Sequence, residues 1–253
     1  MESLVSVNCS EQAVCNSPLP TASIWQDILA QAVTGELMAA MNYSALSIIC
    51  DTPEEVDDAL EHAQGEQGHA AAFAAEGRKI GVIVPNNVNA RYWKRIREAF
   101  MRSIAERDFI ACLIVQEIML ESFAVASYAR VGKAAPGSLG RTFAAIATEE
   151  EGHIEHAMEI LRAERARHPK RFDDKVHRLH LEVMTTLTEM VAKECRNGQC
   201  DLCHSDCVKP SLSVVGLTTV ELCGASLQQY LKTLDALGLP GEVTLQWVTQ
   251  LPM

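Results

Sequence analysis

Glu66-Gln67-Gly68-His69 and Glu150-Glu151-Gly152-His153 are two copies of one pattern, Glu-x-x-His with glycine before the histidine. Three residues along a helix is close to one turn, so the carboxylate and imidazole of each copy share a face. An oxygen donor and a nitrogen donor on one face make half of a metal site. Two such halves, each completed by a lone glutamate from a neighbouring helix, form the dinuclear carboxylate centre of a four-helix bundle. Such centres handle dioxygen, which points to redox chemistry rather than to a binding module.

The lone carboxylates are sought where a charge is out of place. The segment from Ala111 to Val125 is apolar on most sides of a helix, yet it carries Glu117 and Glu121. Glu36 sits likewise beside Leu37, Met38, Ala39 and Ala40. A carboxylate buried in such surroundings is costly unless a cation meets it. Spacing chooses between Glu117 and Glu121. Glu36 precedes Glu66 by 30 residues and Glu121 precedes Glu150 by 29. Glu36 lies 85 before Glu121, and Glu66 lies 84 before Glu150. Glu117 would break this correspondence by four. The expected ligands are therefore Glu36, Glu66, His69, Glu121, Glu150 and His153. A single Glu-x-x-His is common by chance on a solvated face; two copies with matched lone carboxylates are not. Four carboxylates and two imidazoles suit a pair of iron ions, or manganese, better than zinc.

Tyr43 follows Glu36 by seven residues and Tyr128 follows Glu121 by seven. Seven residues is two turns, so each tyrosine shares its carboxylate's face. Both are candidates for a catalytic or substrate-positioning role, and equally for plain core tyrosines. Gln116, five before Glu121, is turned off that face and is expected to line the pocket from the side. Glycine inside a helix costs up to about 1 kcal/mol. The shared position of Gly68 and Gly152 therefore predicts close helix approach beside each histidine.

These residues need long helices to carry them. Helix formers dominate the 253 residues, and aromatics are few. That composition predicts an all-α fold with a sizeable core. Thr21 or Ser23 caps a first helix over about 24–50. Thr52, Pro53 and Glu55 start a second, running to about Arg78. Further helices are expected over about 89–104, 107–131, 141–167, 173–195 and 212–237, with a loop over 132–140 around Pro136 and a short amphipathic tail. Residues 1–21 are expected to be a mobile arm, and 22–253 one domain.

The net charge of −11 argues against non-specific nucleic-acid binding and against an anionic membrane surface. No membrane span is expected, because the longest apolar stretch, Phe109 to Tyr128, is interrupted by Gln116, Glu117 and Glu121. The first residues lack the basic-then-apolar order of a secretory signal, so a cytoplasmic location is expected. There, clustered thiols more often bind metal than pair. Cys195, Cys200, Cys203 and Cys207, with His204 among them, could hold zinc or an iron–sulfur cluster. The first three match a plant-type ferredoxin spacing, with Cys223 as a distant fourth. The plain alternative is a loop of free or disulfide-forming thiols. The basic stretches Arg91 to Arg102 and Arg162 to Arg171 are expected to be solvated helix faces, or else a dock for an acidic reductase.

The residues around the ligands resemble the aldehyde-deformylating oxygenases, also called fatty aldehyde decarbonylases. The resemblance is carried by Ala111 to Gln116 and Glu121 to Tyr128 around the lone glutamate, by Ala72 to Arg78 after the first Glu-x-x-His, and by Glu36 with Tyr43. It continues more weakly through Tyr230 to Gly238, and covers about residues 22–245. It implies a ferritin-like four-helix bundle with additional helices around a di-iron site. It also implies dioxygen as co-substrate, an external reductant such as a ferredoxin-type donor or reductase, and cleavage of a fatty aldehyde to alkane and formate. Three features depart from the family. Glu76 stands where the family has a cysteine. His62 and His156 stand near the ligand faces, where apolar residues would suit a fatty chain. The cysteine-rich insertion 195–207 is foreign to it. Inward-facing His62 and His156 would favour a second function, a di-iron N-oxygenase or oxidase of a more polar metabolite. A third is non-enzymatic iron or peroxide handling.

Overall fold

The Thr52 hydroxyl accepts the backbone N–H of Glu55, and the Glu55 carboxylate returns to the N–H of Thr52, with Pro53 in the first turn. This reciprocal cap is the one the sequence announces, and it launches helix α2 (Pro53–Lys79). The structure, a computed structural model, describes residues 21–193, 212–213 and 215–252. The expected arm lies outside those residues except for Thr21, which opens α1 (Thr21–Leu46). The cysteine segment 195–207 also lies outside them. The remaining helices are α3 (Arg91–Ala105), α4 (Phe109–Ala134), α5 (Gly137–Arg167), α6 (169–193), α7 (Thr219–Ala236) and α8 (Gly241–Thr249). No strand occurs among the described residues.

Packing follows the duplication seen in the sequence. α1 lies along α2, and α4 along α5, each pair joined by a short connection. These two hairpins form the bundle. α3 packs against α1, α4 and α6, while α7 covers α4. By length and composition α4 could cross a membrane, and 78% of its most apolar stretch is buried inside the protein. It is the core helix, with Ile118 and Met119 fully enclosed.

Several boundaries differ from expectation, each for a physical reason. The loop expected over 132–140 shrinks to two residues between α4 and α5. Gly132 and Gly140 do not break the helices; they let them touch. A Cβ on Gly140 would fall 2.6 Å from the Ala135 carbonyl oxygen and 2.7 Å from that of Gly132. The turn itself is made at Gly137, whose φ of +58° favours glycine. The last long helix begins at Thr219 rather than near 212, because Thr218 and Glu221 form a second capping box. α6 begins at Pro169, which occupies its first turn, rather than at 173. α4 and α6 each contain a π-helical segment, Ile114–Leu120 and His180–Met184.

The basic stripe of α3 is partly spent inside the fold. Arg95 pairs with Glu189 at 3.0 Å, Arg102 pairs with Glu182, and Arg97 donates to Asn42 at 3.1 Å. Its charges are therefore less available to a docking reductase than the sequence suggests. Gly68 and Gly152 also correct an expectation: nothing lies within 4 Å of where a Cβ would stand on either. Both are exposed, so close helix approach does not explain them.

Candidate metal centre

Each bundle helix supplies what its sequence period promises. Glu36 comes from α1, Glu66 and His69 from α2, Glu121 from α4, and Glu150 and His153 from α5. Their donor atoms fall into two overlapping groups, Glu36, Glu66, His69 and Glu150, then Glu66, Glu121, Glu150 and His153, in which all atoms lie within 4.8 Å of one another. Glu66 and Glu150 belong to both, so they stand between two cation positions. Each outer position adds one glutamate and one histidine. Nδ1 of His69 lies 3.0 Å from Glu150, 3.3 Å from Glu36 and 3.4 Å from Glu66. Nδ1 of His153 lies 2.8 Å from Glu150 and 3.3 Å from Glu66.

All four carboxylates are buried, Glu66 and Glu150 completely. Neither oxygen of Glu66 or Glu150, nor Nδ1 of His153, makes a hydrogen bond of good geometry. Buried polar atoms left unmatched cost roughly 1–3 kcal/mol each, and more when charged. A pair of divalent cations would satisfy all of them at once, so the residues fit such a pair. The electrostatics agree. Burial, together with the neighbouring charges of Glu150 and Glu66, pushes Glu36 and Glu121 well above the usual carboxylate range. Burial acts on Glu66 in the same direction, but His153 and His69 outweigh it and hold Glu66 at about 2. Burial opposes charge on His153 too, yet Glu150 and Glu66 raise it to about 10. His69 is raised further, by Glu150, Glu36, Glu66 and Glu149 against the same burial.

Around the ligands lies a set of hydrogen bonds. The Tyr128 hydroxyl donates to Glu36 across the bundle. Nε2 of Gln116 donates to Glu121 at 2.6 Å, and its Oε1 accepts from Asn42 at 2.8 Å, which itself accepts from Arg97. The outer nitrogen of His69 lies 2.9 Å from Glu149, a carboxylate placed to orient the imidazole. The Tyr43 hydroxyl donates to Glu117 at 2.6 Å. Sequence reasoning missed three of these participants. Asn42 had a signal, being a polar residue in an apolar helix. Glu117 is one of two carboxylates in the apolar run, and the spacing favours the other. Nothing in the run Glu149, Glu150, Glu151 marks Glu149 from its neighbours.

A cavity of about 230 Å³ reaches the centre. Its polar end is formed by Glu36, Glu66, Gln116, Glu121 and Tyr128. Its apolar wall includes Ile28, Ala32, Phe123, Val131, Phe143 and Met190. Tyr43 does not line it. His62 is half-buried, with its ring 4.6 Å from that of His153 and 5.0 Å from Tyr43. His156 is exposed and stacks on His62 at 5.5 Å. Neither lines the cavity. Glu76 is buried against Lys79, Ser138 and Thr142, and so ties α2 to α5.

Comparison with known proteins follows the same lines. The model of a family described as long-chain fatty aldehyde decarbonylase matches residues 22–201. The match ends inside the cysteine segment. Among solved structures, one described as "Protein 19 with aldehyde deformylating oxidase activity", from Synechococcus, has a TM-score of 0.77 and 20% sequence identity. The similarity covers 92% of this chain and 100% of that one. At that identity the likeness is one of fold, the ferritin-like helical bundle.

Proposed function

The chain belongs to the long-chain fatty aldehyde decarbonylase family, and we propose from that premise that it is a di-iron oxygenase cleaving a fatty aldehyde to alkane and formate. The overall balance joins one aldehyde, one dioxygen, four electrons and four protons to give alkane, formic acid and water. The electrons require an external donor, which we take to be a ferredoxin-type protein or reductase. We further propose that Glu36, Glu66, His69, Glu121, Glu150 and His153 hold the two iron ions. When bound, the pair supplies dioxygen activation.

The chain's own residues do the rest. The apolar wall holds the hydrocarbon tail and excludes water, while the polar end brings the aldehyde carbon beside Glu36, Glu66 and Glu121. The Tyr128 hydroxyl fixes Glu36, and Gln116 fixes Glu121. Each hydrogen bond occupies one carboxylate oxygen, so the other is left to face the cations. Tyr128 and Gln116 also border the cavity, which puts an O–H and an N–H next to the substrate head.

One observation supports this reading above the others: the cavity touching the carboxylates is walled mostly by hydrocarbon, with Asp27, Gln31 and Ser127 as polar exceptions. His62 turns toward the centre, as a polar-substrate enzyme would have it, but it stands outside the cavity wall. Iron or peroxide handling needs no such apolar chamber. The decisive experiment loads the protein with ferrous iron under argon, reduces it, and admits dioxygen with a long-chain aldehyde. Equal yields of alkane and formate are expected. Two bound irons with no product would remove the aldehyde activity and leave the metal centre; fewer than two irons per chain would remove both.

A further inference from the structure

The duplication makes a demand that the fold meets with the wrong residue. Tyr128 on α4 donates to Glu36, the lone carboxylate of α1. By symmetry Tyr43 on α1 should donate to Glu121, the lone carboxylate of α4. It donates instead to Glu117, at 2.6 Å, and Glu121 is taken by Gln116. Glu117 therefore stands in the place that the symmetry reserves for a metal ligand. It lies in the π-helical segment Ile114–Leu120, directly before Glu121. Helix irregularities of that kind gather at functional sites.

A second observation is independent of the symmetry. Glu117 is 1% exposed, and its Oε2 has no hydrogen-bond partner. Both oxygens of Glu66, both of Glu150, and Nδ1 of His153 share that condition. His153, Glu66 and Glu150 are among the charged groups that act on Glu117, so it faces the same interior. A buried carboxylate oxygen of this kind, with its twin held by a tyrosine, is poised for a cation.

We propose that Glu117 is a fifth carboxylate of the metal centre, taking a divalent ion through Oε2 on the half that holds His153 while Tyr43 holds Oε1. The proposal rests on the reading of the other six residues as a dinuclear site. As placed, Glu117 lies outside the two groups of mutually close donor atoms. It joins the centre by rotation about its side-chain torsions once a cation offsets the charge. Four carboxylates neutralise two divalent ions. A fifth leaves the centre anionic and favours the higher oxidation states of the metal.

The test is anaerobic titration with Fe²⁺, and separately with Co²⁺ as a spectroscopic probe, of the wild-type protein, Glu117→Gln and Tyr43→Phe. The wild type should bind two ions. Glu117→Gln should bind one of them about tenfold or more weaker, with altered Co²⁺ visible bands. Tyr43→Phe keeps both carboxylate oxygens and should still bind two ions, weakening the same site less than Glu117→Gln does. The thermal midpoint of each protein before loading controls for folding. If Glu117→Gln does not fold, Glu117→Asp, which retains the charge but shortens the reach, should weaken the same site. Unchanged affinities and unchanged bands in the folded variant overturn the role of Glu117 alone. Fewer than two ions in the wild type overturn the dinuclear reading itself, so the two failures are told apart.

Discussion

Tyr128 shows how much can hang on one hydroxyl. It is the hydrogen-bond donor to Glu36, whose other oxygen faces His69 at 3.3 Å. Tyr128→Phe should leave two irons per chain by metal analysis and lower product formation by roughly tenfold, the cost of about one well-placed hydrogen bond. Retained wild-type turnover would mean that Glu36 needs no such support. The titrating groups make a second prediction, for the protein before metal loading. Burial raises Glu117 to about 8, and its carboxylate neighbours raise His153 to about 10 against burial. In both, the folded state binds protons more tightly than the unfolded chain, so each contribution is greatest at low pH and is lost as pH rises. For Glu117 that loss runs from about 4.5 to 8, and for His153 from about 6.5 to 10. Glu66, held at about 2, acts in the opposite sense but only below its ordinary value of 4.5. Stability to urea should therefore fall between pH 6.5 and 9 without metal. Metal affinity should rise over the same interval, because binding displaces those protons.

At the scale of helices, what was legible depended on whether the helical phase stayed regular. Glu36, Glu66, His69, Glu150 and His153 sit in uninterrupted α-helix, where a three- or seven-residue spacing maps directly onto a face. Of the two carboxylates in the apolar run, Glu121, which the spacing favours, is the one in the close donor group. Spacing could not foresee that Tyr43 would find Glu117, because the π segment changes the residues per turn and no composition signal announces it. The cap at Thr52 was legible for the opposite reason, since its chemistry is local. Thr218 and Glu221 carry the same signature, downstream of the start expected near 212. Glycines misled in both directions, for their meaning depends on what stands opposite. Gly140 shows this most sharply. Gly140→Ala would press a methyl group into two carbonyl oxygens and should cost about 1–3 kcal/mol, lowering the melting temperature. Gly152→Ala meets nothing within 4 Å and should be neutral or stabilising.

For the whole molecule, the cavity and the centre make separable predictions. Ala124 lines the chamber on α4. Ala124→Phe should narrow it, so that turnover falls more steeply as the aldehyde chain lengthens while iron content is unchanged. A uniform loss at every chain length would place the hydrocarbon tail elsewhere. α4 carries a further consequence. By length and composition its 26 residues match a lipid-spanning segment. Two acidic residues, Glu117 and Glu121, lie near its middle, and a charge there opposes insertion by on the order of 2–3 kcal/mol. The side chains proposed to gather iron therefore also raise the cost of placing this helix in a bilayer before its partners cover it. Replacing both with leucine should divert newly made chains to membranes, visible on fractionation of a cell-free translation supplied with vesicles.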